Sequence, residues 1–175
     1  MFFCTETKSI RQALHFLHPS SSFAPVILCI GSDRVTGDCF GPLVGEYLTK
    51  TLNVSAYVYG TLSSPVTALN LTETVQFIHS RHPLHSILAI DSALGCSTEL
   101  GVFRIFPGSL APGAASGKQL PKVGEVSLTV TVAGKKTSEL LNVRLGFVDK
   151  LAKVAGDAIN SFLESYGQNN LVASG

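Results

Sequence analysis

Two aspartates hold the clearest chemistry in this sequence. Asp38 ends the turn Gly31-Ser32-Asp33-Arg34-Val35-Thr36-Gly37-Asp38, which leaves the apolar run Val26 to Ile30 and enters a helix. Asp91 ends a second apolar run, Ile87-Leu88-Ala89-Ile90. Both carboxylates thus fall just past the carboxyl end of a buried strand. That edge of an open α/β sheet is where ligands and reacting groups collect. Two carboxylates meeting there make an acid–base pair or half of a metal site. Each also has a plainer reading. Asp38 would serve as a helix N-cap or an Asx-turn residue, and Asp91 as a cap for the segment after its strand.

Other chemistries fit less well. The dinucleotide fingerprint G-x-G-x-x-G lacks its second glycine here, and no Gly-Lys-Ser/Thr phosphate loop is present. Asp33 and Asp38 would repel a phosphate at this turn. All five histidines (His15, His18, His79, His82 and His85) precede Asp91. They read as surface residues, His15 and His18 on the leading helix and His79, His82 and His85 at the opposite end of the strand from Asp91, so a serine, Cys39 or Cys96 nucleophile lacks its base. The four cysteines, Cys4, Cys29, Cys39 and Cys96, have neither C-x-x-C nor zinc spacing and read as reduced, mostly buried thiols.

The aspartates need strands and helices to place them. Helical spacing predicts a first helix over Thr5 to His18, broken by Pro19 to Ser22. A strand over Pro25 to Ile30 leads to a helix over Gly41 to Thr51, with Pro42 in its first turn. Asn53 to Tyr59 reads as a strand, and Ser64-Pro65 as the start of a helix reaching Arg81. Further strands are expected over Leu84 to Ile90, Gly101 to Phe106 and Val126 to Val132. Between the last two, Pro107 to Gly124 reads as a long loop suited to a flap over the site. Leu141, Leu145, Val148, Leu151, Ala155, Ile159 and Phe162 form the core stripe of a long helix over Thr137 to Tyr166. This alternation gives a layered α/β domain. The 175 residues read as one domain, its core over about residues 25–166 and its end frayed from Gln168 to Gly175.

Composition narrows the partners. Charged residues are 14% of the chain, hydrophobic residues 45%, and the net charge is +1. Nothing here favours nucleic acid. No apolar run reaches the roughly 20 residues of a membrane span, and Glu6, Lys8 and Arg11 come too soon after Met1-Phe2-Phe3 for a signal peptide. The chain reads as soluble and cytoplasmic.

The stretch from Ile30 through Asp38 to Gly45 strongly resembles the YyaC family of sporulation proteins of endospore-forming bacteria. So do Gly60-Thr61-Leu62-Ser63-Ser64-Pro65-Val66, Asn70-Leu71-Thr72-Glu73, Ala89-Ile90-Asp91-Ser92-Ala93-Leu94-Gly95, Val123-Gly124-Glu125-Val126-Ser127 and Asn142-Val143-Arg144-Leu145. The resemblance covers roughly residues 25–160. More distantly the chain is similar to the germination protease of spores and to the hydrogenase maturation peptidases. These families imply a phosphorylase/hydrolase-like, three-layer α/β/α sandwich around a twisted mixed sheet. They also imply a sporulation-associated peptidase working in the cytoplasm of the sporulating cell or forespore, with a protein or peptide, spore proteins included, as substrate.

Carried over by position, Asp38 and Asp91 match the acidic residues of both relatives. The hydrogenase peptidases add a histidine as third metal ligand. None is found after Asp91 here, so no cofactor is expected, and a divalent metal would rest on Asp38 and Asp91 alone. The expected site is a paired-aspartate peptidase centre. Gly31, Ser32, Arg34, Thr36 and Gly37 form a substrate-binding turn whose N–H groups supply oxyanion stabilisation. Glu125 is either a third acid or a solvated charge. Two other readings stay open: a catalytically silent peptide-binding or assembly factor on the same scaffold, and a metal-dependent peptidase or amidohydrolase.

Overall fold

The computed structural model describes residues 1–18, 23–112 and 120–172. Its elements run β1 (Phe2–Cys4), α1 (Thr7–Leu17), β2 (Val26–Cys29), α2 (Phe40–Glu46), β3 (Val58–Tyr59), α3 (Leu71–Arg81), β4 (Ile87–Leu94), β5 (Phe103–Pro107), β6 (Val126–Ala133) and α4 (Leu145–Val172). The strands make one six-stranded sheet in the order β1-β5-β6-β4-β2-β3. Strand β5 runs antiparallel to both its neighbours, while β6, β4, β2 and β3 pair in parallel. The sheet is therefore mixed, as the resemblance implied.

Helices cover both faces. Phe40, Val44 and Leu48 pack with Ile10 and Leu14 of α1 and with Val148, Ala155, Ile159 and Phe162 of α4 on one face. Leu71 and Ile78 of α3 pack on Val26, Leu28, Ile87 and Ala89 on the other. Alternate residues of β2 and β4 thus feed opposite cores, as a strand buried on both sides requires. The result is three layers with no exposed sheet face at the centre.

Helix α2 lies very close to the sheet. A Cβ on Gly45 would strike the carbonyl of Gly60, and one on Gly60 would strike the carbonyl of Cys29. Gly60 also has φ +92°, a conformation that L side chains rarely adopt. Beyond Glu46 the helix widens into a π-helical turn over Tyr47–Thr51.

Several expected boundaries move. Strand β1 lies in a segment read only as an apolar start. Strand β3 keeps two residues of the expected seven, because Asn53 turns the chain with φ +48°. Ser64-Pro65 does not open a helix. Val66 bridges to Ile30 of the sheet, which holds this stretch extended, and α3 begins at Leu71 after a turn in which Asn70 Oδ1 accepts from Thr67 N–H at 2.8 Å. The last helix starts at Leu145, preceded by a 3₁₀ turn over Thr137–Asn142. Leu141 and Leu145 are exposed rather than part of its buried stripe, which begins at Val148. The expected flap is described only at its ends, where Leu110 and Val123 exchange two backbone hydrogen bonds of 3.0 Å. Its middle, 113–119, lies outside the described residues, as do the breaker at 19–22 and the last three residues. Helix α4 runs on to Val172, so 168–172 are helical where fraying was expected.

Two histidines also depart from expectation. His18 and His82 are buried. His18 bonds Ser86 Oγ and Tyr166 Oη at 2.7 Å each, and His82 Nε2 bonds Tyr59 Oη at 2.7 Å. Both lie toward the amino end of β4, so for His82 the expected separation from Asp91 holds although the exposure does not. No helix among the described residues is long and apolar enough to cross a membrane.

Candidate active site

The site forms where β2 and β4 part company. Cys29 pairs with Ile90, and Ile30 N–H donates to the Ile90 carbonyl at 2.8 Å. Helix α2 then leaves β2 on one face, while α3 enters β4 from the other. Such a switch point opens a crevice at the carboxyl ends of the strands.

The β2 chain swings away at Gly31, whose N–H donates to the Val66 carbonyl at 2.9 Å. Gly31 has φ +146°, and a Cβ there would collide with the Asp38 carbonyl. Ser32 N–H donates to that same carbonyl at 3.1 Å, and Asp38 N–H donates to Val35 O at 2.8 Å. The turn is thereby folded back on itself, and Asp38 is set over the strand end. From below, Leu140 of the 3₁₀ turn packs where Gly37 has no side chain.

Strand β4 does not stop at Asp91. Asp91, Ser92 and Ala93 stay in register with Thr129, Val130 and Thr131 of β6, so Asp91 is inside the strand rather than past its end. It lies past the end of β2 only. The residue is 9% exposed. Its carboxyl is held well above the usual carboxylate range, first by burial and then by the neighbouring Asp38. Ser92 N–H, donating to Asp91 Oδ1 at 2.7 Å, opposes this in part. Burial likewise raises Asp38 to about 6, against the stabilising Ser32 N–H and Ser92 hydroxyl. Ser92 therefore serves both acids, one through its backbone and one through its side chain. Burial and mutual repulsion thus disfavour ionising both acids together, and the pair titrates as a unit.

The two acids open on one cleft of about 1470 Å³. Its walls include Val35, Leu69, Phe106, Leu110, Leu140 and Leu141. Of the expected substrate-binding residues, Gly31, Ser32 and Arg34 line it. Thr36 and Gly37 are not among its lining residues and belong to the short 3₁₀ turn Thr36–Asp38. The oxyanion role expected of this turn finds Gly31, Ser32 and Arg34 N–H already donating, the last to Ser32 Oγ at 3.2 Å. Those three donors are spent on Val66 and within the turn itself.

Glu125 lies elsewhere. Its carboxylate accepts from Ile87 N–H, and its own N–H donates to Ile87 O at 3.0 Å. Ile87 is four residues before Asp91 in β4, about 13 Å along the strand. Glu125 ties β6 to the start of β4. Glu125→Ala is expected to cost about 1 kcal/mol in urea unfolding and to leave peptide cleavage unchanged.

Cys39 is no nucleophile in waiting. Its thiol donates to Ser32 O at 3.4 Å, and burial, then Asp33 and Asp38, push its pKa up. Cys4, Cys29 and Cys39 are buried free thiols, as expected, and Cys96 is exposed. Among the described residues no group of three or more His, Cys, Asp or Glu side chains is placed to hold a metal ion. Asp38 and Asp91 supply two carboxylates, one ligand short of the three-ligand centre that the resemblance to the hydrogenase peptidases implied. Ser92 and the leucines of the rim escaped the sequence reading. The only signal for Ser92 is its place directly after Asp91.

The chain is 40% identical over 138 residues to the uncharacterised protein YyaC of Bacillus subtilis (strain 168), a match spanning 77% of this chain and 67% of that one. Among solved structures it is similar to the NiFe hydrogenase maturation protease HycI from Thermococcus kodakarensis KOD1, at 18% identity and a TM-score of 0.46, over 83% of this chain and 97% of the other. A family model described as a protein of unknown function, DUF1256, matches residues 3–158. The chain belongs to the DUF1256 family.

Proposed function

We propose that this protein is a peptidase that hydrolyses a protein substrate with Asp38 and Asp91. The observation that supports it most is the pair itself: two carboxylates on one cleft, both shifted upward, with Ser92 bonded to each. Asp38 takes a proton from a water, whose oxygen adds to the scissile carbonyl. Asp91 donates its proton to the carbonyl oxygen. Collapse of the tetrahedral adduct then breaks the C–N bond, the amine leaves with the proton held by Asp38, and Asp91 recovers its own from the hydroxyl. The YyaC resemblance supports the cytoplasm of the sporulating cell as its place of action and spore proteins as substrates.

The test compares new peptide N-termini in a sporulating-cell extract incubated with wild type, Asp38→Asn and Asp91→Asn. Termini made by wild type alone are expected. Identical termini in all three samples would sink the proposal in favour of a silent binding factor. With a cleaved peptide in hand, the rate should rise about tenfold per pH unit below pH 6 and level off above it, as Asp38 ionises. A rate flat from about pH 5 to about 7 would remove Asp38 from the role of base.

A further inference from the structure

Strand β4 outruns β2 by several residues, and that leaves a usable edge. Pairing of β4 with β2 ends at Ile90, while pairing with β6 continues through Leu94. The Ile90 carbonyl faces β2, and Gly95 N–H faces β6, where it donates to Ala133 O at 3.0 Å. Backbone alternation therefore turns the peptide groups of Ser92 and Leu94 to the side that β2 has vacated. Ser92 N–H is used by Asp91. Among the described residues no backbone group meets the Ser92 carbonyl or either polar group of Leu94 there. The edge runs along the cleft, since Ser92, Ala93, Leu94 and Gly95 all line it.

The walls beside this edge are mainly apolar, with Arg34 and Lys135 also on the lining, and its lips carry large exposed side chains. Leu69 is 89% exposed and Leu141 67%, and both line the cleft. Polar backbone in one row between apolar walls complements one kind of ligand. An extended peptide has a polar backbone edge and sends alternate side chains to either wall. A helix has its backbone groups already satisfied, and a small anion would meet Asp33, Asp38 and Asp91.

We infer that the cleft binds its substrate as an added strand on the free edge of β4, recognising an extended segment with apolar side chains on both sides of the cleaved bond. This rests on the peptidase reading for the word substrate, and it deepens that reading by naming the substrate class. The strand places a peptide carbonyl beside Asp91 through the same register that places Ser92. Leu69 and Leu141 select the side chains.

The test uses the Asp38→Asn/Asp91→Asn protein, which binds without cleaving. Two fluorescein-labelled octapeptide pools serve as probes, one with Leu, Ile and Val fixed at the four central positions and one with Ser and Asn there. The apolar pool should bind at least about tenfold more tightly in anisotropy titrations. N-methylation of its central amides, which removes donors and blocks strand pairing, should cost about tenfold or more. Leu69→Asp and Leu141→Asp, both at exposed positions, should each weaken binding several-fold while the melting temperature stays put. Equal binding of the two pools, indifference to N-methylation, or no binding of either pool overturns the inference. Tight apolar-pool binding with no cleavage by wild type would leave it standing and remove the peptidase; cleavage at polar sites would do the reverse.

Discussion

Asp38→Asn should abolish cleavage and stabilise the protein in the same step. The loss of rate is expected at about 10²–10⁴-fold, the scale of a removed general base. The gain comes from the same burial that tunes the site. Asp38 has a folded pKa of about 6, against 3.8 for the free side chain. The folded state therefore holds more protons than the unfolded state between those values. Stability is full below about pH 4, falls as the pH rises through about 6, and carries the whole penalty above it, on the order of 3 kcal/mol. An asparagine side chain has no charge to bury. Its amide fills the acceptor positions imperfectly, so a gain of about 1–3 kcal/mol at about pH 7.5 is expected, roughly 3–10 °C in Tm. Melting curves from about pH 4 to 8 check this. Wild type should lose Tm with rising pH relative to the variant, and the two should converge at the acid end. A variant that melts lower than wild type at the alkaline end would show that Asp38 is a structural cap.

The largest loss of stability is expected from one methyl group at Gly60. Alanine there must adopt φ +92° and push its Cβ into the carbonyl of Cys29 in the fully buried strand β2. The backbone cost alone is about 1–3 kcal/mol, and moving a buried strand adds to it. A total of about 3–5 kcal/mol is expected, a shift of roughly 10 °C or more in Tm for a chain of this size. Gly146→Ala is the matched control. Gly146 lies in the first turn of α4, with nothing within 4 Å of the added carbon. It should gain up to about 0.5–1 kcal/mol from helix propensity. Guanidinium unfolding of both variants would separate the close approach at Gly60 from a general effect of glycine replacement.

Asp91 was legible because an apolar run ending in a carboxylate is a local signal, Asp38 because a glycine-bounded turn leads from a second apolar run into a helix, and the layered class came from the alternation around them. What the sequence hid was set by distant partners. Asp91 looked terminal, yet β6 holds it and the next residues in the sheet. Ser64-Pro65 carried helix-start chemistry, but Val66 is taken by Ile30. Leu141 and Leu145 continued a helical stripe on paper, whereas Leu140 is drawn to Gly37 and the helix starts late. His18 and His82 read as surface residues because their partners Tyr166 and Tyr59 are remote along the chain. Pairing of the edge strand β1 is likewise invisible in a run of three residues.

Helix α4 covers both α1 and α2, and it is the last element in chain order. During synthesis the apolar face of the sheet must wait for it. A ribosome-held chain ending before Thr137 would also lack Leu140 beneath the Asp38 turn. Such contacts between distant parts of the chain slow folding. The acid pair is therefore set in place only after translation has gone far beyond Asp38, when the turn that carries Leu140 has been made.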